Sequence, residues 1–262
     1  MDINKYLPAL IVGAFLLFFI SRCSKSDSSS TASSEEFNYV KEPINDLIKE
    51  NAQYSDYSIE LFDMDYDEPA DEYKHQYRTL YEPGDGRDTL LEKTTDWLKV
   101  SDVYFQENVD NMGMHIVTKV DGKLTKVASP AGYSKYVGND KYGQWEKKSD
   151  GTSFWSFYGK YMFMSSMFRM AMYPVMYRHY SPYMAGGYYG RSAYYGSGAN
   201  GGRVYGTGSS SARTNSSWGS KPSSFKQNVR SKVSQSASAT KKSRSSSRTG
   251  STSRSRSGGS GK

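Results

Sequence analysis

The distribution of charge along the chain constrains its organisation more than any other feature. All 27 acidic residues lie in the first 150 positions, whereas residues 151–262 carry 17 of the 34 basic residues and no acidic residue. Such polarity is typical of an acidic globular part joined to a basic interacting part. We therefore expect the basic part to contact an anionic surface, and the acidic part of the same chain qualifies as one.

The N-terminal residues contain the most apolar run of the chain. No charged residue interrupts Tyr6 to Ile20. The run is short for a bilayer span of about 20 residues, and it also matches the apolar core of a signal peptide. We predict a transmembrane anchor or signal segment over residues 1–23. Its anchor residues are Leu7, Leu10, Ile11, Val12, Phe15, Leu16, Leu17, Phe18, Phe19 and Ile20.

Cys23 offers a second mode of attachment. The residues from Ile20 to Cys23 resemble a lipobox, although Arg22 stands where a small residue is normal. The favoured interpretation is an uncleaved anchor, and the alternative is a lipoprotein with Cys23 lipidated. The Ser-rich linker over residues 24–36 suits either. Because Cys23 is the only cysteine, an intrachain disulfide and a multi-thiolate zinc site are excluded.

Residues 37–153 have the composition of a folded acidic domain. The sequence predicts a helix over residues 44–51 after Pro43, a strand over 57–61, and a second strand with one aromatic face over 73–81. Asp121-Gly122 joins two β-rich runs and predicts a hairpin with a type I′ turn. We expect an α+β fold, with a small antiparallel sheet and flanking helices, preceded by an N-terminal membrane helix and followed by a disordered tail.

Residues 63–72 are predicted to form an acidic loop. Its aspartates match the first half of an EF-hand loop, but Lys74 stands where the bidentate glutamate should be. The favoured interpretation is a solvated loop, and a weak calcium site is the alternative.

Residues 154–184 form an amphiphilic segment dense in methionine and aromatic residues. Lys160 and Arg169 disfavour a bilayer span, because each charge costs about 2.5–3.5 kcal/mol at the bilayer centre. We predict a helix that lies at the membrane surface or against the domain. Since the two charges would emerge on opposite sides of that helix, packing against the domain is favoured. The predicted apolar contacts are Phe154, Phe157, Tyr158, Tyr161, Met162, Met164, Phe168 and Met172.

Residues 185–262 are rich in Gly, Ser, Tyr and Arg, and we predict that this basic tail is disordered. The sequence contains no nucleophile elbow, zinc-protease, phosphate-loop or dinucleotide motif, and its three histidines share no ligand spacing. We therefore assign no catalytic, cofactor-binding or metal residues, expect no cofactor, and expect that the protein is not an enzyme.

About 30 residues between Pro130 and Tyr161 carry a resemblance. The motifs are Pro130-Ala131-Gly132-Tyr133, Tyr136-Val137-Gly138-Asn139, Tyr142-Gly143-Gln144-Trp145 and the aromatic run from Ser153 to Tyr161. This stretch resembles uncharacterised bacterial membrane or envelope proteins with a Gly/Ser/Tyr/Arg-rich C-terminal tail. The resemblance implies a bacterial envelope location and carries over no catalytic residue.

Two functional hypotheses follow. The first is a membrane-tethered, non-enzymatic envelope protein, structural or accessory, whose basic tail contacts anionic envelope polymers or lipids, with nucleic acid the least favoured partner. The second is a binding module for a small ligand or cation, which would use the acidic loop or the aromatic strand face. The expected location is the cell membrane, with single-pass or lipid attachment.

Overall fold

An antiparallel sheet organises the residues that the computed structural model describes, which are 41–84, 89–170, 172–198, 201–213 and 216–249. They belong to one unit that begins at Tyr39. The predicted anchor, its candidate lipidation site and the Ser-rich linker lie outside the described residues. No helix in the described ranges is long and apolar enough to cross a bilayer.

The described elements alternate between strands and short helices. In chain order they are α1 (Pro43–Glu50), β1 (Tyr57–Asp67), β2 (Glu72–Tyr81), β3 (Leu91–Thr94), β4 (Leu98–Val100), α2 (Asp102–Asn108), β5 (Met114–Val120), β6 (Lys123–Thr125), β7 (Ser129–Pro130), β8 (Gly143–Lys147), β9 (Ser153–Phe157), a 3-10 turn (Gly159–Tyr161), α3 (Phe163–Met167), α4 (Tyr177–Ala185), α5 (Ser210–Arg213), α6 (Ser217–Ser220) and α7 (Ser223–Thr249).

The main sheet has the order β3-β2-β1-β5-β6, with β4 also paired to β2 and β7 to β5. All of these pairings are antiparallel, and β8 and β9 form a separate hairpin. This arrangement confirms the α+β class. The predicted hairpin is also confirmed: Asp121 and Gly122 both have positive φ, at 49° and 77°, between β5 and β6.

The predicted acidic loop is instead the tip of a long hairpin. β1 continues to Asp67, and the turn occupies Glu68–Asp71. The register of β1 against β2 shifts between Leu61 and Asp63, because a bulge inserts one residue there. The bulge shifts the alternation of apolar and polar residues by one position. The alternation visible in the sequence therefore stops at Leu61, although β1 continues to Asp67.

The Met/aromatic segment packs against the domain but is not one helix. It is divided into β9, the 3-10 turn, α3 and α4. Phe157, Tyr161, Met164 and Phe168 are buried in one cluster with residues of β2 and β8–β9. Arg169 has a φ of 58°, which a continuous helix does not allow.

The prediction of a disordered tail is wrong for its described residues. Trp218, Val229 and Val233 are buried against Tyr73, Phe105 and Met112. α7 runs along α2. The physical reason is that Phe225, Val229, Val233 and Ala237 recur every four residues and place their side chains on one helical face, within a Ser-rich composition. Residues 250–262 lie outside the described part.

Candidate functional site

The acidic hairpin tip is already neutralised by the rest of the chain. Asp65 pairs with Lys221 (3.1 Å), Asp67 with Lys74 (2.7 Å), and Asp71 with Lys232 (2.9 Å). Hydrogen bonds from their lysine partners lower the pKa of Asp67 and of Asp71. No group of three or more His, Cys, Asp or Glu side chains in the described ranges could hold a metal ion. The tip is therefore a docking surface for the basic part of the chain.

Asp63 binds the N-terminal end of α6 through hydrogen bonds. Its buried carboxylate accepts hydrogen bonds from the backbone amides of Ser217 and Trp218 (3.2 Å for Trp218) and from Met64 (2.8 Å). Burial raises the pKa of Asp63, against the lowering effect of these amides. These hydrogen bonds to Asp63 thus hold the first turn of α6 beside the bulge of β1.

The basic residues of the C-terminal region find further partners on the loop after α2. Arg203 (2.7 Å) and Arg230 (2.8 Å) both pair with Asp110. Burial opposes ionisation of Asp110, but hydrogen bonds from these two arginines lower its pKa. At these residues the basic part of the chain therefore contacts the acidic part, the alternative that the sequence left open beside an external anionic surface.

The aromatic strand face of β2 is core and not surface. Its inward side chains are Tyr73, His75, Tyr77 and Thr79, all buried. The His75 ring stacks 5.1 Å from Phe105 of α2. Most of this face is therefore buried in the core, and three carboxylates of the acidic tip are already paired with lysines.

The three histidines lie on three different elements, β2, β5 and α4. Burial lowers the pKa of His75 to about 3, and burial with the nearby Arg78 lowers that of His115 to about 3. Both imidazoles are therefore neutral at physiological pH. His179 is half-buried on α4.

A concave cleft of about 460 Å³ lies between the β5–β6 hairpin and the chain that follows α4. We call it the hydroxyl–tyrosine cleft. Its lining residues are Thr118, Val120, Lys123, Thr125, Val127, Ala128, Ser129, Ser134, Tyr183, Tyr188, Tyr189, Gly190 and Arg191. None of these is acidic, which distinguishes it from the groove of about 440 Å³ beside the acidic tip, where carboxylates and lysines mix.

Three hydroxyl groups form the floor of the cleft. The Ser129 and Ser134 hydroxyls are 3.2 Å apart, and the Ser134 hydroxyl is 3.4 Å from that of Tyr183. Ser129 and Tyr183 are buried, and burial raises the pKa of Tyr183, so its phenol stays a neutral donor. The floor can therefore donate and accept hydrogen bonds to a bound group.

Basic and aromatic side chains form the rim of the cleft. Lys123 and Arg191 are exposed, and neither pairs with a carboxylate in the described part of the chain. Tyr188 (37% exposed) and Tyr189 (45% exposed) present their rings beside Arg191. The rim thus combines two positive charges with two tyrosine rings that are partly exposed to solvent.

The rim residues after α4 fall within the tail that the composition predicts to be disordered. The aromatic content of this stretch indicates that it is folded, because disordered segments contain few aromatic residues. Tyr188, Tyr189, Tyr194 and Tyr195, which follow Tyr183 of the Met/aromatic segment, are too many aromatic residues for a solvated linker. Three of these rings pack together: Tyr194 lies 5.5 Å from Tyr183 and 5.0 Å from Tyr188.

Comparisons with known proteins return no match to a family model, to a curated protein or to a solved structure.

Proposed function

We propose that this chain is a non-enzymatic, membrane-tethered binding module that holds a small anionic ligand in the hydroxyl–tyrosine cleft. The observation that carries the proposal is the composition of this cleft: two cations and no described carboxylate surround three hydroxyl groups. A concave site with a few convergent polar groups is the usual means of orienting a small ligand.

The ligand class follows from the same side chains. Lys123 and Arg191 suit a phosphate or carboxylate group. The hydroxyl floor suits ligand hydroxyls, and the rings of Tyr188 and Tyr189 suit the apolar face of a sugar ring. A sugar phosphate combines these features.

The tether is inferred from the sequence. The charge-free run from Tyr6 to Ile20 and the Ser-rich linker support a location at the cell membrane of a bacterial envelope, by a single span or by a lipid on Cys23. A non-enzymatic role is supported by the separation of the histidines on three elements and by the burial of two of them.

Calorimetric titration of the full-length chain with glucose 6-phosphate tests the proposal, with glucose and inorganic phosphate as its two fragments. We expect glucose 6-phosphate to bind more tightly than either fragment. Lys123→Gln and Arg191→Gln should each weaken binding about 10- to 150-fold, since a hydrogen bond to a charged group contributes about 1.5–3 kcal/mol.

The control is Lys147→Gln, which removes the same charge from β8 outside the cleft. Its affinity should equal that of the parent chain. Equal losses in all three variants would mean diffuse charge attraction, and unchanged binding by Lys123→Gln and Arg191→Gln would refute the cleft as the site.

A second candidate function is contact between the C-terminal basic residues and anionic envelope polymers or lipids. Lys241, Lys242 and Arg244 are exposed near the end of α7, and four further basic residues follow in the sequence. Changing these three to Gln should weaken binding to long-chain polyphosphate at low salt, whereas Lys226→Gln, Arg230→Gln and Lys232→Gln together should weaken it less. Equal weakening by both triple variants would contradict this assignment.

A further inference from the structure

A line of tyrosine and tryptophan rings runs through one buried cluster and joins two exposed ends. At one end Tyr177 is 48% exposed, and at the other Tyr189 is 45% exposed, whereas Tyr133 and Tyr183 between them are buried. We call this line the aromatic relay. In spatial order its members are Tyr177, Trp145, Tyr180, Tyr133, Tyr183 and Tyr189.

Each ring of the aromatic relay contacts the next one. In the order given, successive ring centroids are 4.9, 5.4, 5.3, 5.4 and 6.0 Å apart. These distances lie in the range of directly packed aromatic pairs, about 4.5–7 Å. The six rings therefore form one continuous path between two points on the surface.

Every member of the aromatic relay has a ring that can lose one electron. Phenol and indole rings are oxidised at potentials at which a phenylalanine ring is not. Phe157 and Phe168 belong to the same buried cluster, but the path does not pass through them. Because electronic overlap falls steeply with distance, rings in contact exchange an electron much faster than rings held apart by aliphatic side chains. The path is thus suited to moving single electrons.

The two buried phenols of the relay have hydroxyl partners. Oxidation of a phenol releases its proton, so a buried tyrosine needs a hydrogen-bond partner to take part. The Tyr133 hydroxyl bonds to that of Tyr205, and the Tyr183 hydroxyl lies 3.4 Å from that of Ser134. Each proton can therefore shift along its hydrogen bond when the ring loses an electron, and return when the ring regains one.

The hydroxyl–tyrosine cleft indicates the end at which a reductant binds. Tyr189 lies on its rim with Arg191, whereas Tyr177 is not among the lining residues. An anionic enediol such as ascorbate carries the negative charge and the hydroxyl groups that this cleft suits. The choice of this reductant and of this end rests on the proposed function, but the relay itself does not.

We propose that the aromatic relay carries single electrons from an anionic enediol at Tyr189 to a peroxyl radical at Tyr177. The peroxyl radical takes one electron from the Tyr177 ring and the proton of its phenol, and becomes a hydroperoxide. One electron then moves along the relay from Tyr189 to Tyr177, which regains a proton from water while the Tyr189 phenol releases one. The enediol returns an electron and a proton to Tyr189, so one hydrogen atom passes from the enediol to the peroxyl radical.

The test uses the full chain in detergent with Cys23→Ser and a ruthenium polypyridyl label on Arg178→Cys, an exposed position next to Tyr177. A light flash with a cobalt(III) ammine quencher converts the label into a one-electron oxidant, which stands in for the peroxyl radical. A nitroso spin trap captures tyrosyl radicals, and tandem mass spectrometry measures the adduct at each tyrosine.

The variant Tyr180→Phe keeps a ring in the middle of the relay but removes its phenol. The matched control is Tyr142→Phe, the same change at a buried tyrosine of the same cluster that contacts Tyr136 and lies outside the relay. We expect the adduct at Tyr189 to be several-fold lower in Tyr180→Phe, with no loss of adduct at Tyr177. In Tyr142→Phe both adducts should equal those of the labelled parent.

Three outcomes overturn the relay. They are no adduct at Tyr189 in the labelled parent, an adduct there that Tyr180→Phe leaves unchanged, and an equal loss in both variants, which would mean disturbed packing.

Ascorbate tests the reductant separately. It should suppress the Tyr189 adduct at a several-fold lower concentration in the labelled parent than with Arg191→Gln added. Equal concentrations would overturn the enediol at the cleft. If glucose 6-phosphate still binds the parent chain more weakly after Arg191→Gln, the proposed function stands although this reductant does not.

Discussion

Single buried polar side chains have large effects on the free energy of unfolding of this protein. The Arg78 guanidinium lies 2.6 Å from the Glu60 carboxylate, whose side chain is 1% exposed, and it also donates to the Met167 carbonyl (2.7 Å). One charged group thereby joins β1, β2 and the Met/aromatic segment. In the described residues, the Nε2 atoms of His75 and His115 have no hydrogen-bond partner.

Acid should unfold the protein through these two histidines. Their folded-state pKa is about 3, below the ordinary value of 6.5, so the unfolded chain binds more protons between these values. Stability is therefore complete above pH 6.5 and falls below it, by about 1.4 kcal/mol per pH unit for each imidazole. Urea unfolding at pH 7 and pH 5 measures the loss. His115→Phe should remove about half of this histidine contribution, and an unchanged pH dependence would contradict it.

Removing one partner of the buried ion pair should destabilise the protein strongly. Arg78→Met removes the guanidinium 2.6 Å from the buried Glu60 carboxylate, and we expect a loss of about 3–5 kcal/mol. The double variant Glu60→Met with Arg78→Met should lose less, because no uncompensated charge remains. Chemical denaturation compares them, and a double variant that is less stable than Arg78→Met would count against this account.

Helix α7 shows most clearly that a polar composition does not prevent a segment from packing against the domain. Its sequence is dominated by Ser, Lys and Arg, yet its apolar residues recur every four positions and cover the cluster beneath α2. Ser236 and Thr240 continue the same face and bond to the Asp102 carboxylate (2.9 Å for Thr240). A few well-spaced residues are therefore enough to dock a helix whose mean polarity is high.

Disrupting this docking should expose the C-terminal region to protease. Trp218→Ala removes a side chain that is 1% exposed, and the expected loss of stability is about 3–5 kcal/mol. Trypsin should then cut at Arg230 faster than in the parent chain. Trp97→Ala, the same change at a residue that is 40% exposed, is the control. Equal cleavage of both variants would mean that Trp218 does not hold α7.

At the scale of the whole molecule, the two oppositely charged parts of the chain neutralise each other. Lys221, Arg230, Lys232 and Lys241 each pair with a carboxylate from the first 110 residues. All of these groups are more than a quarter exposed, so each pair contributes only about 0–1 kcal/mol. The apolar stripe of α7 contributes the larger share.

Salt should therefore weaken the docking of α7 without releasing it. In 1 M NaCl the screening length falls to about 3 Å, and we expect the free energy of unfolding to decrease by about 1–3 kcal/mol. Hydrogen exchange at the Val229 and Val233 amides should remain slow, with the Ser245 amide as an exposed reference. Loss of protection at both valines would mean that ion pairs are the principal attachment.

Turn residues and hydrophobic periodicity were enough to predict the elements that depend on neighbouring residues alone. The Asp121-Gly122 hairpin, helix α1 and the aromatic alternation of β2 follow from turn and periodicity rules. The end of β1 could not be predicted in this way, because a bulge shifts the alternation at Phe62. The cleft could not be predicted either, since its floor joins β7 and the turn after it to Tyr183 of α4, which lies 49 positions after Ser134.

The bond between Asp63 and the Trp218 amide joins residues 155 positions apart. During synthesis at about 5–20 residues per second, the ribosome needs roughly 8–30 seconds to proceed from one to the other. For that time the nascent hairpin carries Asp63 without its Ser217 and Trp218 partners, and the Tyr66 ring without Lys232 above it. The order of translation therefore gives this protein a vulnerable interval, in which a holdase chaperone would find the surface that α6 and α7 later cover.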